Sequence, residues 1–216
     1  MISTGLEKLD EILGGGIRNS TISDIFGASS TGKTQLALQI MVNSLSGGGR
    51  IFYQDTTGTF RPERLLDLLK SRGFERDVLN SVTVGRITNI SEQFKNLAKI
   101  SESDYSLIII DNVTDLFSFE YPKEEQIREK TIQFAKYMSE LSRIAASKEI
   151  PVILVNMVRS HGDVEQENLG PIISLFTHVR IRLSKNSVYE GQVTMAPLKK
   201  DQFKFKIARE GLVGLS

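Results

Sequence analysis

The sequence predicts an α/β fold: a mostly parallel central sheet flanked by helices, with antiparallel strands at its C-terminal end. Three observations carry that expectation. Short apolar, β-rich runs alternate with longer helical patterns between residues 21 and 156, which is the rhythm of βαβ units. One run, LIIID at 107–111, is apolar without interruption until its final acid, as a strand buried on both faces has to be. On either side of Pro197 the pattern becomes strict alternation, in HVRIRLS (178–184) and FKFKIA (203–208), and both segments read as half-exposed antiparallel strands.

The elements follow in order. TISDIF (21–26) is a first strand, and a helix over 34–45 places Leu36, Leu38, Ile40, Met41 and Leu45 at helical spacing until the run Gly47 to Gly49 stops it. RIFYQ (50–54) is a second strand. Pro62 opens a helix that runs to Arg72, because its fixed φ suits the first turn and its missing N–H costs nothing there. VTVGRI (82–87) is a strand, 91–101 an amphipathic helix, LIIID a strand, 124–148 a long helix and PVILVN (151–156) a strand. There is no internal repeat, low-complexity segment or linker.

With 216 residues, 40% of them hydrophobic and 25% charged, the chain suits one substantial core, so residues 1–216 are read as a single soluble domain. No run of about 18 apolar residues could span a bilayer, and MISTGLEKLD lacks the apolar core of a signal peptide, which predicts a cytoplasmic location and no membrane partner. Zero cysteines exclude disulfides, thiolate catalysis and cysteine zinc sites; His161 and His178 are too few for a histidine-rich metal site. The metal chemistry that remains is oxygen-ligated, hence magnesium. The net charge of +1 hides an asymmetry, since residues 180–209 hold eight Lys or Arg against Glu190 and Asp201. That basic end suits a polyanion, or equally a solvated strand edge defended by lysines.

GASSTGKT (27–34) matches G-x-x-x-x-G-K-[ST] between a predicted strand and a predicted helix, the context this motif requires. Gly27 and Gly32 permit the turn that aims the N–H groups of Ala28, Ser29, Ser30 and Thr31 at phosphate oxygens, and the helix N-terminus adds partial positive charge. Lys33 would reach the terminal phosphates and the Thr34 hydroxyl would sit on magnesium. Asp111 ends its strand where open α/β sheets collect ligands, and would hold the metal through water; taken alone, it could instead cap a helix starting at Asn112.

STGLEKLDEILGGGI (3–17), GASSTGKTQLALQ (27–39), GTFRPERL (58–65), LIIIDN (107–112) and VILVN (152–156) occur in an order and spacing that resembles the RecA/RadA recombinases, most of all their short archaeal paralogues. GTFRPER is highly specific. The likeness covers nearly the whole chain and weakens over 159–175 and near Pro197. It implies a RecA-type P-loop core binding ATP and Mg2+, with loops facing single-stranded DNA. Carried over by that resemblance, Lys33 and Thr34 bind phosphates and magnesium, Asp111 supports the metal, Arg64 stacks on adenine, and Asn156 senses the γ-phosphate. Without the resemblance, Arg64 is an exposed helix arginine.

The departures from the pattern matter as much. The family's D-T-E-G-T-F reads DTTGTF here, so Thr57 stands where the resemblance places the general-base glutamate, and a hydroxyl cannot take a proton from water near neutral pH as a carboxylate does. Asp55 is a possible substitute base, provided strand geometry persists for two residues. Met157 replaces the amide expected to relay nucleotide state, and Met195 stands where the recombinases have an acid that caps ATP. The expectation is an intact phosphate cradle with weak or absent hydrolysis. An active DNA-dependent ATPase, or a RecA-fold regulator that binds only protein, similar to circadian-clock-type ATPases, are the alternatives.

The resemblance puts the DNA loop between Asn156 and Thr177. It holds Arg159 and His161 but also Asp163, Glu165 and Glu167, with no aromatic residue from 159 to 175 to stack on bases. DNA contact would therefore also need Arg180, Arg182, Lys185, Lys199 and Lys200, and single-stranded DNA binding should be weak. Full-length recombinases carry an N-terminal DNA-binding domain and an F-x-x-A linker that docks on the next core, whereas this sequence opens on the core motif. FKIA (205–208) matches only by letters. A monomer, a dimer or attachment to a RadA-type recombinase or another recombination protein is expected rather than a filament.

Overall fold

The computed structural model describes residues 1–161, 164–195 and 199–215; the side chains of 160–164 and 195–200 also lie outside the description. The chain begins with helix α1 (Glu7–Leu13), whose end is set by Gly14 in the left-handed region at φ 73°. Strand β1 (Ile22–Gly27), helix α2 (Lys33–Ser46), strand β2 (Ile51–Asp55) and helix α3 (Pro62–Lys70) follow within about two residues of the predicted bounds. A 3-10 helix (Arg76–Ser81) leads to β3 (Val82–Arg86). Helix α4 (Ile90–Glu102) is capped by Asn89, whose side chain accepts the Glu92 N–H at 2.8 Å.

Strand β4 (Leu107–Asp111) is followed by a short helix α5 (Asp115–Glu120) and the long α6 (Ile127–Ser147). Strand β5 (Val152–His161) runs five residues past the predicted end at Asn156 and forms a hairpin with β6 (Val164–Glu167); α7 (Gly170–Phe176) completes the segment read from the sequence as one loop. The last four strands are β7 (Val179–Lys185), β8 (Tyr189–Met195), β9 (Lys199–Ala208) and β10 (Gly211–Leu215).

The sheet order is β10-β9-β8-β7-β1-β5-β4-β2-β3, with β6 attached to β5. From β7 to β3 every pairing is parallel; from β7 to β10 every pairing is antiparallel. The expectation that 178–184 is an antiparallel strand needs correcting on one side. β7 is antiparallel to β8 but parallel to β1, so it joins the two halves, and its alternation arises because Val179, Ile181 and Leu183 face the core. FKIA lies within β9, with Phe205 fully buried, so it is core structure.

The uninterrupted apolar run of β4 has a direct cause. Leu107 and Ile109 pack with α1, α2 and α3 on one face, while Ile108 and Ile110 pack with α4, α5, α6 and α7 on the other. Among the described residues no helix is long and apolar enough to cross a membrane.

Candidate nucleotide site

The C-terminal ends of β1, β2, β4 and β5 open onto one cleft of about 480 Å³, the size of a small-molecule site. The turn from β1 into α2 forms its floor. Gly27 has φ 153°, and a Cβ there would collide with the Leu183 carbonyl; Gly32 at φ 98° leads directly into α2. Ser29, Ser30, Gly32, Lys33 and Thr34 line the cleft, while Thr31 turns its hydroxyl inward to the Ala28 carbonyl at 2.9 Å.

Lys33 is only 8% exposed and donates from Nζ to the Ala28 carbonyl at 2.6 Å. Burial lowers its pKa, against the opposing pull of the Asp111 and Asp115 carboxylates. Asp111 ends β4 in register with Asp55 of β2. Its Oδ2 accepts the Thr34 hydroxyl at 2.8 Å and the Tyr53 hydroxyl at 2.7 Å. Burial raises the Asp111 pKa, and those two hydrogen bonds oppose the rise. Asp115, the first residue of α5, is raised by burial as well, with Arg159 and Lys33 pulling it down.

This donor set suits a triphosphate with magnesium. A buried ammonium and a helix N-terminus await anionic oxygens, and the two ligand candidates offer only hard oxygen donors, a hydroxyl and a carboxylate in mutual contact. A divalent cation there would stabilise the ionised form that burial opposes at Asp111. Asp111 does not cap a helix at Asn112; α5 begins only at Asp115.

Thr57 and Thr59 form the opposite wall. Their hydroxyls lie 2.6 Å apart, and Thr57 also donates to Asp55 Oδ1 at 3.2 Å. Asp55 is turned away from the cleft into its own loop. Its carboxylate accepts the backbone N–H groups of Thr57, Gly58, Thr59 and Phe60 at 2.7–3.3 Å, with the Arg86 guanidinium 3.7 Å away. Beyond Asp55 the chain bends, so strand geometry does not persist to Thr57.

Arg64 is neither free nor merely an exposed helix arginine. Nε donates to Gln35 Oε1 at 2.8 Å and the two Nη groups to the carbonyls of Arg209 and Ala208 at 2.6 and 3.1 Å. It stands one side chain behind the cleft, which Gln35, Tyr189 and Ile207 line at that end. Asn156 is fully buried and turned to the hairpin: its Oδ1 accepts the Thr114 hydroxyl at 2.7 Å, and its Nδ2 donates to Glu167 Oε1 and the Asn168 carbonyl at 2.7 and 2.9 Å. Met157, the next residue, lines the cleft instead.

Two of the proposed nucleic-acid cations are engaged within the protein. Arg180 pairs with the buried Asp24 at 3.3 Å and with Glu167, and Arg182 pairs with Glu165 at 3.0 Å. Lys185 lies 5.2 Å over the Tyr189 ring, and Arg159 is exposed beside Asp115. The side chains of Lys199, Lys200, Met195 and His161, together with Asp163 and Pro197, lie outside the described residues.

Sequence reasoning missed Tyr53, Asp115 and Thr59. Tyr53 was accessible: alternation along β2 puts it on the face of Asp55, beside the strand that ends in Asp111. No local pattern marks Asp115, because its approach to Lys33 depends on how α5 leaves β4.

A parallel sheet with a glycine-turned loop between β1 and α2, and an acid closing β4 beside that loop, defines an α/β fold of the RecA type. The family model described as Rad51 matches residues 1–200, and the chain belongs to that family. It is 37% identical over 176 residues to the DNA repair and recombination protein RadB of Thermococcus onnurineus, covering 80% of this chain and 75% of that protein. It is 33% identical over 170 residues to the meiotic recombination protein DLH1 of Candida albicans, and 34% over 170 residues to the meiotic recombination protein DMC1 homolog of Glycine max. Each of those two alignments covers 74% of this chain but only 52% and 49% of the relative, so the chain spans about half their length.

Proposed function

We propose that this chain is an ATP-binding paralogue of the recombinases, similar to RadB, that acts as an accessory in DNA recombination and repair. It holds ATP with magnesium and hydrolyses it slowly or not at all. The observation that carries this reading is the pairing of a complete phosphate cradle with Thr57 on the opposite wall of the same cleft. Lys33 and the amides of 28–32 would bind phosphates, and Thr34 and Asp111 would hold the metal, whose contribution is to neutralise phosphate charge and orient the terminal group. Tyr53 orients the Asp111 carboxylate. Arg64 fixes Gln35 and the β9–β10 turn at the far end of the cleft, positioning the wall that would meet the base. Neither threonine on that opposite wall can deprotonate water, and Asp55 is committed to four backbone donors.

Bound nucleotide would stabilise one arrangement of the partner surface without being consumed, since a ligand shifts a population by its differential affinity alone. The partner is a RadA-type recombinase or another recombination protein, with single-stranded DNA as a weaker contact. The test is single-turnover cleavage of radiolabelled ATP with magnesium, with and without single-stranded DNA. Retention on filters is measured in the same tubes, and Lys33→Ala serves as the control. ATP retained by the parent, lost by the variant and left uncleaved is the expected result. Cleavage by the parent that disappears in the variant would overturn the claim of lost turnover and favour a DNA-dependent ATPase. Failure of the parent to retain ATP would sink the whole reading.

A further inference from the structure

Arg180 and Arg182 lie two residues apart on β7, their side chains on the face opposite Ile181 and Leu183. Glu165 and Glu167 lie two residues apart on β6. The ion pairs join them in opposite chain directions, Glu167 with Arg180 and Glu165 with Arg182, one carboxylate to each guanidinium. A strand rise of about 3.3 Å per residue sets the two acids roughly 7 Å apart, as it does the two arginines. That interval is comparable to the spacing of successive phosphates along an extended single strand.

The partners are held unequally. Glu167 is nearly buried and anchored by Asn156, so β6 is docked through it; Arg180 has a second acid in Asp24 and lies 4.8 Å over the Phe26 ring. Arg182 and Glu165 are both nearly half exposed, and among the described residues neither has another ion-pair partner.

We propose that Arg180 and Arg182 form a binding row for the phosphodiester backbone of single-stranded nucleic acid, and that Glu165 and Glu167 cover it by standing in for two phosphates. Guanidinium forks take carboxylate and phosphate with the same paired geometry, so one ligand can replace the other without rebuilding the row. Because the acids belong to the same chain, they compete at high effective concentration and hold affinity for nucleic acid low until β6 is displaced. This inference rests on the proposed role in recombination and adds how contact with nucleic acid is controlled. A carboxylate-rich protein segment would meet the same two forks; the matched spacing along an extended strand favours the phosphodiester.

The test is fluorescence anisotropy of labelled oligo-dT on the full chain across a salt series, comparing the parent with Glu165→Gln, with the double variant E165Q/E167Q, and with that double variant carrying Arg182→Ala. The double variant is expected to bind roughly tenfold more tightly at 50 mM salt, with a log–log salt slope steeper by about 1.4 for two newly contacted phosphates. Its advantage should then shrink roughly sevenfold on going to 200 mM. Arg182→Ala should return about half of the added slope. Glu165→Gln alone touches an exposed pair and should steepen the slope by about 0.7 even if the double variant folds poorly. Unchanged affinity and slope in Glu165→Gln and in the double variant would overturn the proposal. So would a gain seen with polyglutamate but not with oligo-dT, which would assign the row to an acidic protein. ATP retention on filters separates the two readings: intact retention with a flat oligonucleotide result removes this inference alone, whereas loss of retention by the parent removes the nucleotide reading.

Discussion

Replacing Asp55 by Asn distinguishes a structural carboxylate from a catalytic one. Asp55 ends β2 at 5% exposure, with Oδ1 accepting the N–H groups of Thr57, Gly58 and Thr59 and Oδ2 accepting that of Phe60 at 3.2 Å. Asparagine keeps the shape but offers a single acceptor oxygen, so its amide NH2 must face at least one of those donors. One buried donor left unpaired costs about 1–3 kcal/mol, and removing the charge from three remaining bonds adds about 1 kcal/mol more. Arg86 is half exposed, and its loss of a partner is screened enough to leave out. The sum, roughly 2–4 kcal/mol, corresponds to a melting temperature lowered by about 5–15 °C at 2–4 °C per kcal/mol for a chain of this size. Differential scanning calorimetry on the nucleotide-free protein measures it. A melting temperature within about a degree of the parent, together with a hundredfold loss of ATP cleavage, would refute the reasoning and make Asp55 the base.

Thr57→Glu places a carboxylate on the cleft wall facing the phosphate cradle. Single-turnover cleavage should rise about 10²- to 10⁴-fold, the usual contribution of a positioned base, or about 3–5 kcal/mol of barrier; an unchanged rate with undiminished ATP retention would show that more than the base is missing. Asp24 is fully buried, with Oδ1 unpartnered among the described residues, and burial pushes its pKa up to about 7 against the pull of Arg180. A folded pKa above the ordinary 3.8 means that the fold binds the proton more tightly than the unfolded chain does. The stability this gives is present at low pH and is lost as pH rises from about 4 to 7. The parent should therefore lose melting temperature relative to Asp24→Asn between pH 5 and pH 8, and parallel pH profiles for the two proteins would contradict it.

The parts of the fold that could be read from the sequence are those whose signal is local. The β4 run is apolar because both faces are covered, Gly47 stops α2 and Pro62 starts α3, so these bounds fall within a residue or two. The cradle was legible for the same reason: Gly27, Gly32, Lys33 and Thr34 are adjacent in the chain and their spacing is their geometry. What could not be read depends on tertiary placement. The alternation of β7 reports that one face is buried and says nothing about neighbour direction, so its parallel pairing with β1 was missed. Arg180 and Arg182 look like free cations in sequence because their acids arrive from a different strand. Asp55 and Thr57 are two apart in a string that reads as a strand end, yet the carboxylate curls back to cap the four following residues.

Alternation along β5 limits how nucleotide and hairpin can communicate. Asn156 faces Thr114 and the hairpin, while Met157 faces the cleft, as successive residues on one strand must. Phosphate oxygens in the cleft would therefore meet a thioether that has no hydrogen to donate, and the amide that could donate has both ends engaged: its oxygen with Thr114, its nitrogen with Glu167 and Asn168. The side-chain route from cleft to hairpin runs beside the strand: Asn112 lines the cleft and its Oδ1 accepts the Thr114 N–H at 2.9 Å, while the Thr114 hydroxyl meets Asn156 and Asn168. The β5 backbone itself is hydrogen-bonded to β1 on one side and β4 on the other and resists movement. The hairpin is also held from its far side, where Arg180 and Arg182 pair with the Glu167 and Glu165 carboxylates. A ligand that competed for those guanidinium groups would act on the hairpin directly, whereas a ligand in the cleft would reach it through Asn112 and Thr114.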